Sequence, residues 1–184
     1  GLNVENNLKI SEDFHKLLYQ KNIFLISKGN FVSVLEKNNL IHSFKVRKIY
    51  PNSIEVQIKK TELLAITNYN KKKFFIGSNG KLINFESSNK NLPYVFGKIK
   101  IRNFIEFTKI IIKSKFNFEE ISELYFFPSG RWDIKSRKGI LIKLPKTNLL
   151  KALNLANQIV TNEIFKNDKV IDLRIYNRII STNE

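Results

Sequence analysis

Several residue types are scarce or missing in this chain of 184 residues. It has no cysteine, which excludes a disulfide framework, a zinc ribbon and thiol catalysis. No apolar run approaches the roughly 20 residues that span a bilayer, because the longest candidate, Phe104 to Ile112, contains Glu106 and Lys109. The chain also lacks methionine and begins with Gly1. We expect Gly1 to be either a cloning remnant or a truncation point, with a membrane anchor removed in front of it.

Acidic residues are scarce as well. The chain has 16 of them against 32 basic ones, which gives a net charge of +16. Such a balance is typical of proteins with an anionic partner, such as nucleic acid, an anionic membrane or an acidic protein. However, the lysines are scattered, and the only run, Lys71 to Lys73, falls in a predicted hairpin loop. We therefore favour a compositional explanation, an Asn- and Ile-rich chain from an A/T-rich genome, over a nucleic-acid footprint.

Groups with catalytic potential are few. The only histidines, His15 and His42, have no Cys or acidic cluster near them at metal-ligand spacing. Asp133 and Asp172 could form an acid/base pair, but ion pairs with neighbouring arginines explain them better. The glycines at 77 and 80 fit a hairpin turn, and no phosphate-loop lysine follows them. The residues thus predict no enzyme, no cofactor and no metal.

Strict alternation dominates the stretch from Phe44 to Leu63. Ile54, Val56 and Ile58 face one way, and polar residues lie between them, which predicts half-buried strands. Between the two strands, Tyr50 to Ser53 contains proline and asparagine, so the stretch is a β-hairpin.

Two short helices and a strand are predicted in front of this hairpin. A first strand lies near Leu2, and a helix follows Ser11 as its N-cap residue. A second helix begins at Gly29-Asn30, with Phe31, Val34 and Leu35 on its inner face. The order is therefore β-α-α-β-β.

After Leu64 the pattern changes to short strands mixed with two amphipathic helices. A hairpin turn of residues 77–80 joins the first two strands. The remaining elements are, in order, an irregular connection at Leu92 to Gly97, a helix from about Asn103 to Lys115, a strand at Ile121 to Phe127, a hairpin of Trp132 to Ser136 with Ile140 to Leu144, a helix at Asn148 to Phe165, and strands at Val170 to Arg174 and Arg178 to Ser181. The last helix carries its apolar stripe on Leu149, Leu153, Ala156, Val160 and Ile164.

Four motifs resemble the FtsQ/DivIB family of bacterial cell-division proteins. The Tyr50-Pro51 hairpin with Glu62 to Ala65 looks like the end of its POTRA domain. Residues 130–134 (Gly-Arg-Trp-Asp-Ile), the strand 139–145 and the Ile-Asp-Leu-Arg strand 171–174 look like its β domain, in a variant most similar to alphaproteobacterial members. The resemblance covers nearly the whole chain in the right order. The chain lacks the cytoplasmic tail and the single transmembrane helix that family members carry in front of this part.

The resemblance implies an α+β fold in two domains. Residues 1–63 would form a POTRA domain (β-α-α-β-β). Residues 64–184 would form a mixed, mostly antiparallel curved sheet with helices on one face and a partner-binding edge strand at its end. The protein would be anchored in the inner membrane by one segment, with this part in the periplasm at the division septum.

The resemblance also implies a non-enzymatic scaffold that links early and late division proteins. It would bind FtsB- and FtsL-like partners by strand addition on the terminal edge, and its POTRA domain would contact other division proteins. Arg174 matches the arginine that pairs with an acidic partner residue, and Ile175 replaces the usual aromatic, with Tyr176 next. The predicted partner-binding residues are Arg174, Ile175, Tyr176, Asn177, Arg178, Ile179, Ile180, Ser181, Arg131 and Trp132.

The residues alone leave alternatives open. An edge strand with basic and apolar side chains could accept an acidic peptide as a further strand, or Ile179 and Ile180 could simply complete the core. Trp132 could stack on a ligand or belong to the core. For the whole chain, the rival classes are a POTRA-containing envelope assembly or secretion component, a basic nucleic-acid-binding protein, and an enzyme with a scattered site.

Overall fold

The computed structural model describes residues 28–49, 53–85, 91–162, 168–175 and 178–182. The predicted first strand and first helix lie outside this part of the chain. The described helices are α1 (Lys28–Lys37), α2 (Ile101–Lys113) and α3 (Leu149–Thr161), with a 3-10 helix at Phe118–Glu120. The described strands are β1 (Ile41–Ile49), β2 (Ser53–Lys60), β3 (Leu63–Tyr69), β4 (Lys72–Gly77), β5 (Leu82–Asn84), β6 (Tyr94–Phe96), β7 (Ile121–Phe126), β8 (Trp132–Ser136), β9 (Leu141–Lys143), β10 (Val170–Asp172) and β11 (Ile180–Thr182).

The chain divides into two compact units. The first contains Gly1–Glu62 and Gly77–Ile83, and the second contains Leu63–Ile76 and Asn84–Glu184. The turn after β4 and the start of β5 therefore group with the first unit.

The predicted hairpin forms the described sheet of the first unit. Strands β1 and β2 are antiparallel, with Val46 opposite Val56. Their apolar side chains pack on Leu35 of α1, which is 3% exposed, and on Ile41. Alternation along the strands thus places one apolar row against the helix, as the sequence predicts. The tip of the hairpin, residues 50–52, lies outside the described residues.

The turn of residues 77–80 is confirmed as a hairpin turn. The backbone N–H of Gly77 donates to the carbonyl of Lys81 (3.0 Å), and Gly80 has a φ of +75°. Asn79 Nδ2 donates to the carbonyls of Asn39 (2.9 Å) and Ile41 (3.0 Å). The turn is thereby attached to the first unit by hydrogen bonds.

Eight strands form the sheet of the second unit, in the order β11-β10-β9-β8-β7-β6-β3-β4. The neighbouring pairs β3/β6, β6/β7 and β9/β10 are parallel, whereas β7/β8, β8/β9 and β10/β11 are antiparallel. Strands β3 and β4 are joined by a two-residue turn in which Asn70 and Lys71 have positive φ, the geometry of a tight hairpin. The predicted α+β class with a mixed, mostly antiparallel sheet is confirmed.

Helices α2 and α3 each connect a pair of parallel neighbours, β6 with β7 and β9 with β10. In both connections the second strand lies on the side of the first that is nearer to β11. The four strands β6, β7, β9 and β10 all run in the same direction. Such crossovers are right-handed in about 98% of cases, which puts both helices on the same face of the sheet. The contact between α2 and α3 agrees with this arrangement.

The core of the second unit lies between these helices and the sheet. A row of apolar residues crosses five neighbouring strands, and each is at most 3% exposed. The row consists of Val95, Leu124, Ile134, Ile142 and Ile171. On α2, the buried residues Phe104, Phe107, Thr108 and Ile111 form the inner face that the sequence predicts.

Two predictions for the second unit need correction. The segment from Leu92 to Gly97 is not an irregular connection, because Tyr94–Phe96 form strand β6 between β3 and β7. Pro93 and Gly97 bound this short strand rather than interrupt it, and its partners are distant in sequence, so no local signal marks it.

The apolar stripe of α3 is also slightly rotated from the prediction. Ala152, Leu153, Ala156 and Ile159 are buried, whereas Val160 is only half-buried. The helix ends at Thr161, and Ile164, the last residue of the predicted stripe, lies outside the described residues.

Candidate functional site

The predicted partner-binding strand lies at an edge of the sheet. Strand β11 pairs with β10 and is the outermost of the described strands on that side. We call Arg174, Ile175 and residues 178–182 the terminal edge. Its isoleucines Ile175, Ile179 and Ile180 are 50%, 43% and 46% exposed. The alternative in which Ile179 and Ile180 complete the core is therefore wrong, and the edge carries an apolar surface in contact with water.

Arg174 is held in a fixed orientation by Asp172. The guanidinium donates from Nε to both carboxylate oxygens (2.9 Å each) and from Nη2 to Oδ2 (2.5 Å). The backbone N–H of Arg174 also donates to Asp172 (3.0 Å). Hydrogen bonding from Arg174 lowers the pKa of Asp172 and raises that of Arg174. No described residue accepts from Nη1, so this end of the guanidinium can bind another carboxylate.

A cavity of about 220 Å³ opens beside Arg174. It lies where β9 and β10 end and α3 begins. Three of its lining residues, Lys151, Arg174 and Arg178, are cations, and most of the others are apolar. The lining consists of Pro145, Thr147, Asn148, Lys151, Ala152, Leu155, Leu173, Arg174, Ile175 and Arg178. This terminal cavity has the chemistry to hold an apolar side chain next to a carboxylate.

A row of alternating charges connects the terminal edge with β8. Asp133 lies opposite Lys143 on β9, and Lys143 lies opposite Asp172 on β10. Arg131 donates to both oxygens of Asp133 (3.1 and 3.2 Å). Asp133 is 3% exposed, and burial raises its pKa although Arg131 opposes the shift. Asp133 thus lies on the same face of the sheet as Asp172.

The structure corrects the placement of Trp132. Its side chain is 3% exposed and stacks on Phe107 at 4.7 Å between ring centroids, with Phe104 and Phe126 also against it. Because adjacent strand residues point to opposite faces, Asp133 lies on the face that carries the charge row, and Trp132 lies on the face covered by α2. The indole is a core group and is not available to a partner.

Of the four remaining predicted site residues, the structure describes two. Arg178 and Ser181 are exposed on the terminal edge, and Ser181 lies opposite Ile171 of β10. Tyr176 and Asn177 lie outside the described residues.

The sequence reasoning missed the contribution of α3 to the terminal cavity. Lys151 and Leu155 come from the first turns of this helix. In a β-α-β crossover the helix begins near the carboxyl end of the strand before it, where α/β proteins commonly bind ligands. The contribution of α3 could have been predicted only with knowledge that β9 pairs with β10 in parallel.

In the part of the chain that the structure describes, no three residues of the types His, Cys, Asp and Glu come close enough to hold a metal ion. In the same residues, every buried side-chain nitrogen or oxygen has a hydrogen-bond partner. No helix among them has the length and apolar character needed to cross a bilayer.

Comparison with protein families defines the class of this chain. Residues 6–60 match the FtsQ-type POTRA domain, and residues 65–174 match the C-terminal domain of the cell division proteins FtsQ and DivIB. A POTRA domain followed by this β domain is the arrangement that the sequence motifs predict. The chain belongs to the FtsQ/DivIB family of cell division proteins.

Individual relatives agree with this assignment. The chain is 25% identical over 142 residues to the cell division protein FtsQ of Rhizobium meliloti (strain 1021), covering 75% of this chain and 46% of the relative. It is 34% identical over 86 residues to the cell division protein DivIB of Staphylococcus aureus (strain NCTC 8325 / PS 47), covering 45% and 19%. The chain thus spans about half the length of the first relative, and the match covers much less of the second.

A solved structure is also similar. It is the major extracytoplasmic domain of the trans isomer of the bacterial cell division protein DivIB from Geobacillus stearothermophilus. The match has 15% identity and a TM-score of 0.42, and it covers 55% of this chain and 92% of that one.

Proposed function

We propose that this protein is a non-enzymatic scaffold of the division machinery that binds FtsB- and FtsL-type partners at its terminal edge. The observation that carries the proposal is the combination of an outermost strand with three half-exposed isoleucines next to the oriented guanidinium of Arg174. Binding there would link early and late division proteins during septum formation.

Strand addition is the mode of binding that the geometry supports. An edge strand presents N–H and C=O groups that have no neighbour on one side, and a peptide can pair with them as a further strand. The side chain of Ile180 lies opposite Asp172, so it shares a face with the charge row. An added strand could cover Ile180 while its main chain pairs with β11. Main-chain hydrogen bonds would then supply affinity, and the side chains would supply selectivity.

The charges of the site favour an acidic peptide. Lys151, Arg174 and Arg178 line the terminal cavity, and among its lining residues there is no Asp or Glu. Asp172 occupies one side of the Arg174 guanidinium and leaves Nη1 for a partner carboxylate. Charge-assisted hydrogen bonds of this kind are about twice as strong as neutral ones. An apolar partner side chain could enter the cavity beside that carboxylate.

The same proposal covers the domain boundary, the role of the POTRA domain, the membrane anchor and the location of the protein. The domain boundary would fall between residues 63 and 64, and the POTRA domain would contact other division proteins. A single transmembrane segment in front of this part would hold it at the inner membrane, with these residues in the periplasm and concentrated at the septum. Arg131, whose partner Asp133 belongs to the charge row, would border the partner-binding surface.

The test is binding to the extracytoplasmic segment of the organism's own FtsB-like protein, with and without the FtsL-like one. Arg174→Glu and Ile179→Asp change the terminal edge. Arg102→Glu and Ile112→Asp are matched controls, because Arg102 has an 86% exposed side chain on α2 and Ile112 is 75% exposed on the same helix. Circular dichroism would first establish that all four variants fold.

We expect saturable binding that weakens by about tenfold or more in each edge variant, as for residues at the centre of an interface, and that stays near the wild-type value in both controls. A folded wild-type protein that binds neither partner would refute the proposal. If Arg102→Glu and Arg174→Glu weakened binding equally, and if binding fell steeply with salt, the interaction would be unspecific attraction by the +16 charge.

A further inference from the structure

A second cavity lies at the opposite end of the sheet from the terminal cavity. It has a volume of about 490 Å³, within the range of ligand pockets. It lies where β3, β6 and β7 begin, whereas the terminal cavity lies where β9 and β10 end. All five strands run in the same direction, so the two cavities are separate sites. We call this one the Arg137 groove; it is lined by Leu63, Leu64, Asn91, Leu92, Pro93, Phe118, Glu119 and Arg137.

Arg137 is fixed by main-chain acceptors from two distant segments. Its Nε donates to the carbonyl of Glu119 (2.5 Å), and its Nη2 donates to the carbonyl of Asn91 (2.6 Å). Its own backbone N–H donates to the carbonyl of Glu120 (2.7 Å). These two bonds use the N–H of Nε and one N–H of Nη2. The N–H groups of Nη1 and the second N–H of Nη2 are left, and they form the fork that binds a carboxylate through two hydrogen bonds.

The guanidinium has no ion-pair partner among the described residues. The four ion pairs found there involve Arg102, Arg131, Lys135 and Arg174. Neutral carbonyls orient the charge of Arg137 and do not cancel it. An anion that reaches the open fork would therefore form a new charge-assisted pair.

The rest of the groove limits what that anion can be. Five apolar residues, Leu63, Leu64, Leu92, Pro93 and Phe118, line it, and four of them are half-buried while Pro93 is buried. A ligand that covers them must carry an apolar group next to its anion. The exposed carboxylate of Glu119 also lies in the lining, and it repels a second negative charge. A singly charged amphipathic ligand fits, whereas a polyanion such as nucleic acid does not.

We propose that the Arg137 groove binds the C-terminal end of a peptide chain whose last residue is apolar. The free carboxylate would bind the fork of Arg137, and the last side chain would cover the apolar surface formed by Leu92 and Phe118. Capture of a terminal carboxylate is a recurring mode of peptide recognition. This inference does not depend on the function proposed for the terminal edge.

The test uses short peptides and the 184-residue protein. The probe is acetyl-Ala-Ala-Leu with a free carboxylate, titrated into isotope-labelled protein and followed by amide chemical shifts. The same peptide with an amidated end lacks the charge, and an NH₂ donor replaces one of the two acceptor oxygens. An amidated acetyl-Ala-Asp-Leu offers a side-chain carboxylate instead of the terminal one. We expect saturable shifts near Leu92, Phe118 and Arg137 with the free acid, and affinities about tenfold or more lower for both amides.

Variants then locate the contact. Arg137→Gln should reduce the affinity for the free acid about tenfold and should leave the weak affinity for the amide unchanged. Arg102→Gln, at an exposed arginine outside the groove, should have no effect. Should Arg137→Gln fail to fold, the comparison of acid with amide on the wild-type protein decides by itself.

Three results would overturn the proposal. The first is the absence of binding by the folded wild-type protein at millimolar peptide. The second is equal binding of the acid and either amide. The third is displacement of the free-acid peptide by inorganic phosphate at the concentrations at which phosphate screens exposed cations in general. That result would mean unspecific anion attraction.

Discussion

Isoleucine has opposite environments in two regions of the second unit. In the core beneath α2 and α3, Ile134, Ile142 and Ile171 are completely buried. On the terminal edge, Ile179 and Ile180 are more than 40% exposed, although they come shortly after Ile171 in the sequence. Burying an isoleucine fully contributes about 1.5–3 kcal/mol, so the first group stabilises the fold. The second group keeps most of this free energy available for a partner.

The polar groups of the two regions differ in the same way. In the core region, Ser136 is 1% exposed, and its hydroxyl accepts from the backbone N–H of Ile140 (3.1 Å). On the edge, Arg174 is paired on one side and open on the other. Groups that hold the fold together are satisfied within it, whereas groups at the edge keep some hydrogen-bonding capacity for binding.

The strongest test of the core side is Trp132→Ala. The indole fills the space between Phe107, Phe104 and Phe126, so its removal should lower the free energy of unfolding by about 3–5 kcal/mol. Urea denaturation followed by circular dichroism measures the change. Ile112→Ala, at an exposed position on α2, should change it by less than about 0.5 kcal/mol. A small effect of Trp132→Ala would contradict the assignment of this residue to the core.

The next effect in size is expected at Gly97, directly after β6. Gly97 has a φ of +104°, and an added Cβ would lie 2.2 Å from the carbonyl oxygen of Phe126. Gly97→Ala should therefore destabilise the protein by about 2 kcal/mol or more. Gly139→Ala is the matched control, because Gly139 has a φ of +87° and nothing within 4 Å of its added Cβ. It should cost about 1 kcal/mol, and equal losses in the two variants would mean that the contact with Phe126 is unimportant.

The two aspartates should respond to pH with opposite signs. Burial raises the pKa of Asp133 above its ordinary 3.8, so the folded state binds its proton more tightly than the unfolded state does. Its contribution to stability is therefore complete below pH 3.8 and is lost as the pH rises through the folded pKa. The hydrogen bonds from Arg174 lower the pKa of Asp172. Its contribution is present above pH 3.8 and is lost as the pH falls through the lower, folded value.

Unfolding of the wild type, Asp133→Asn and Asp172→Asn between pH 7 and pH 3 tests these signs. The wild type should gain stability relative to Asp133→Asn as the pH falls. It should lose stability relative to Asp172→Asn, by less than about 1 kcal/mol because that ion pair is partly exposed. Differences of the same sign for the two variants would contradict the electrostatic contrast between the buried Asp133 and the Arg174-paired Asp172.

Local patterns in the sequence predicted those parts of the fold that depend on neighbours along the chain. The alternation around Val46 and Val56 predicted the first hairpin, and helical spacing from Phe104 to Ile111 predicted the inner face of α2. Strand β6 was missed because it has three residues and pairs with strands distant in sequence. For the same reason Arg137, whose acceptors lie 18 and 46 residues away, gave no sign of the groove that it lines.

The candidate site was predictable in outline only. The exposed edge and Arg174 follow from motifs in the last strands. The position of Trp132 depends on which side of β8 faces α2, and the terminal cavity depends on the parallel pairing of β9 with β10. Neither relation has a local pattern in the sequence.

The smallest effect on stability is expected for substitutions on the terminal edge, where the effect on partner binding should be large. Ile179→Ser and Ile180→Ser replace side chains that are 43% and 46% exposed in the free protein, so each should change the free energy of unfolding by less than about 0.5 kcal/mol. If an added strand covers these side chains, each substitution should weaken partner binding by the burial that it removes, about 1 kcal/mol or more. Urea denaturation and calorimetric titration on the same samples separate the two quantities. A loss of stability comparable to that of the core variants would mean that these isoleucines hold the fold together, and the contrast between the two regions would then be wrong.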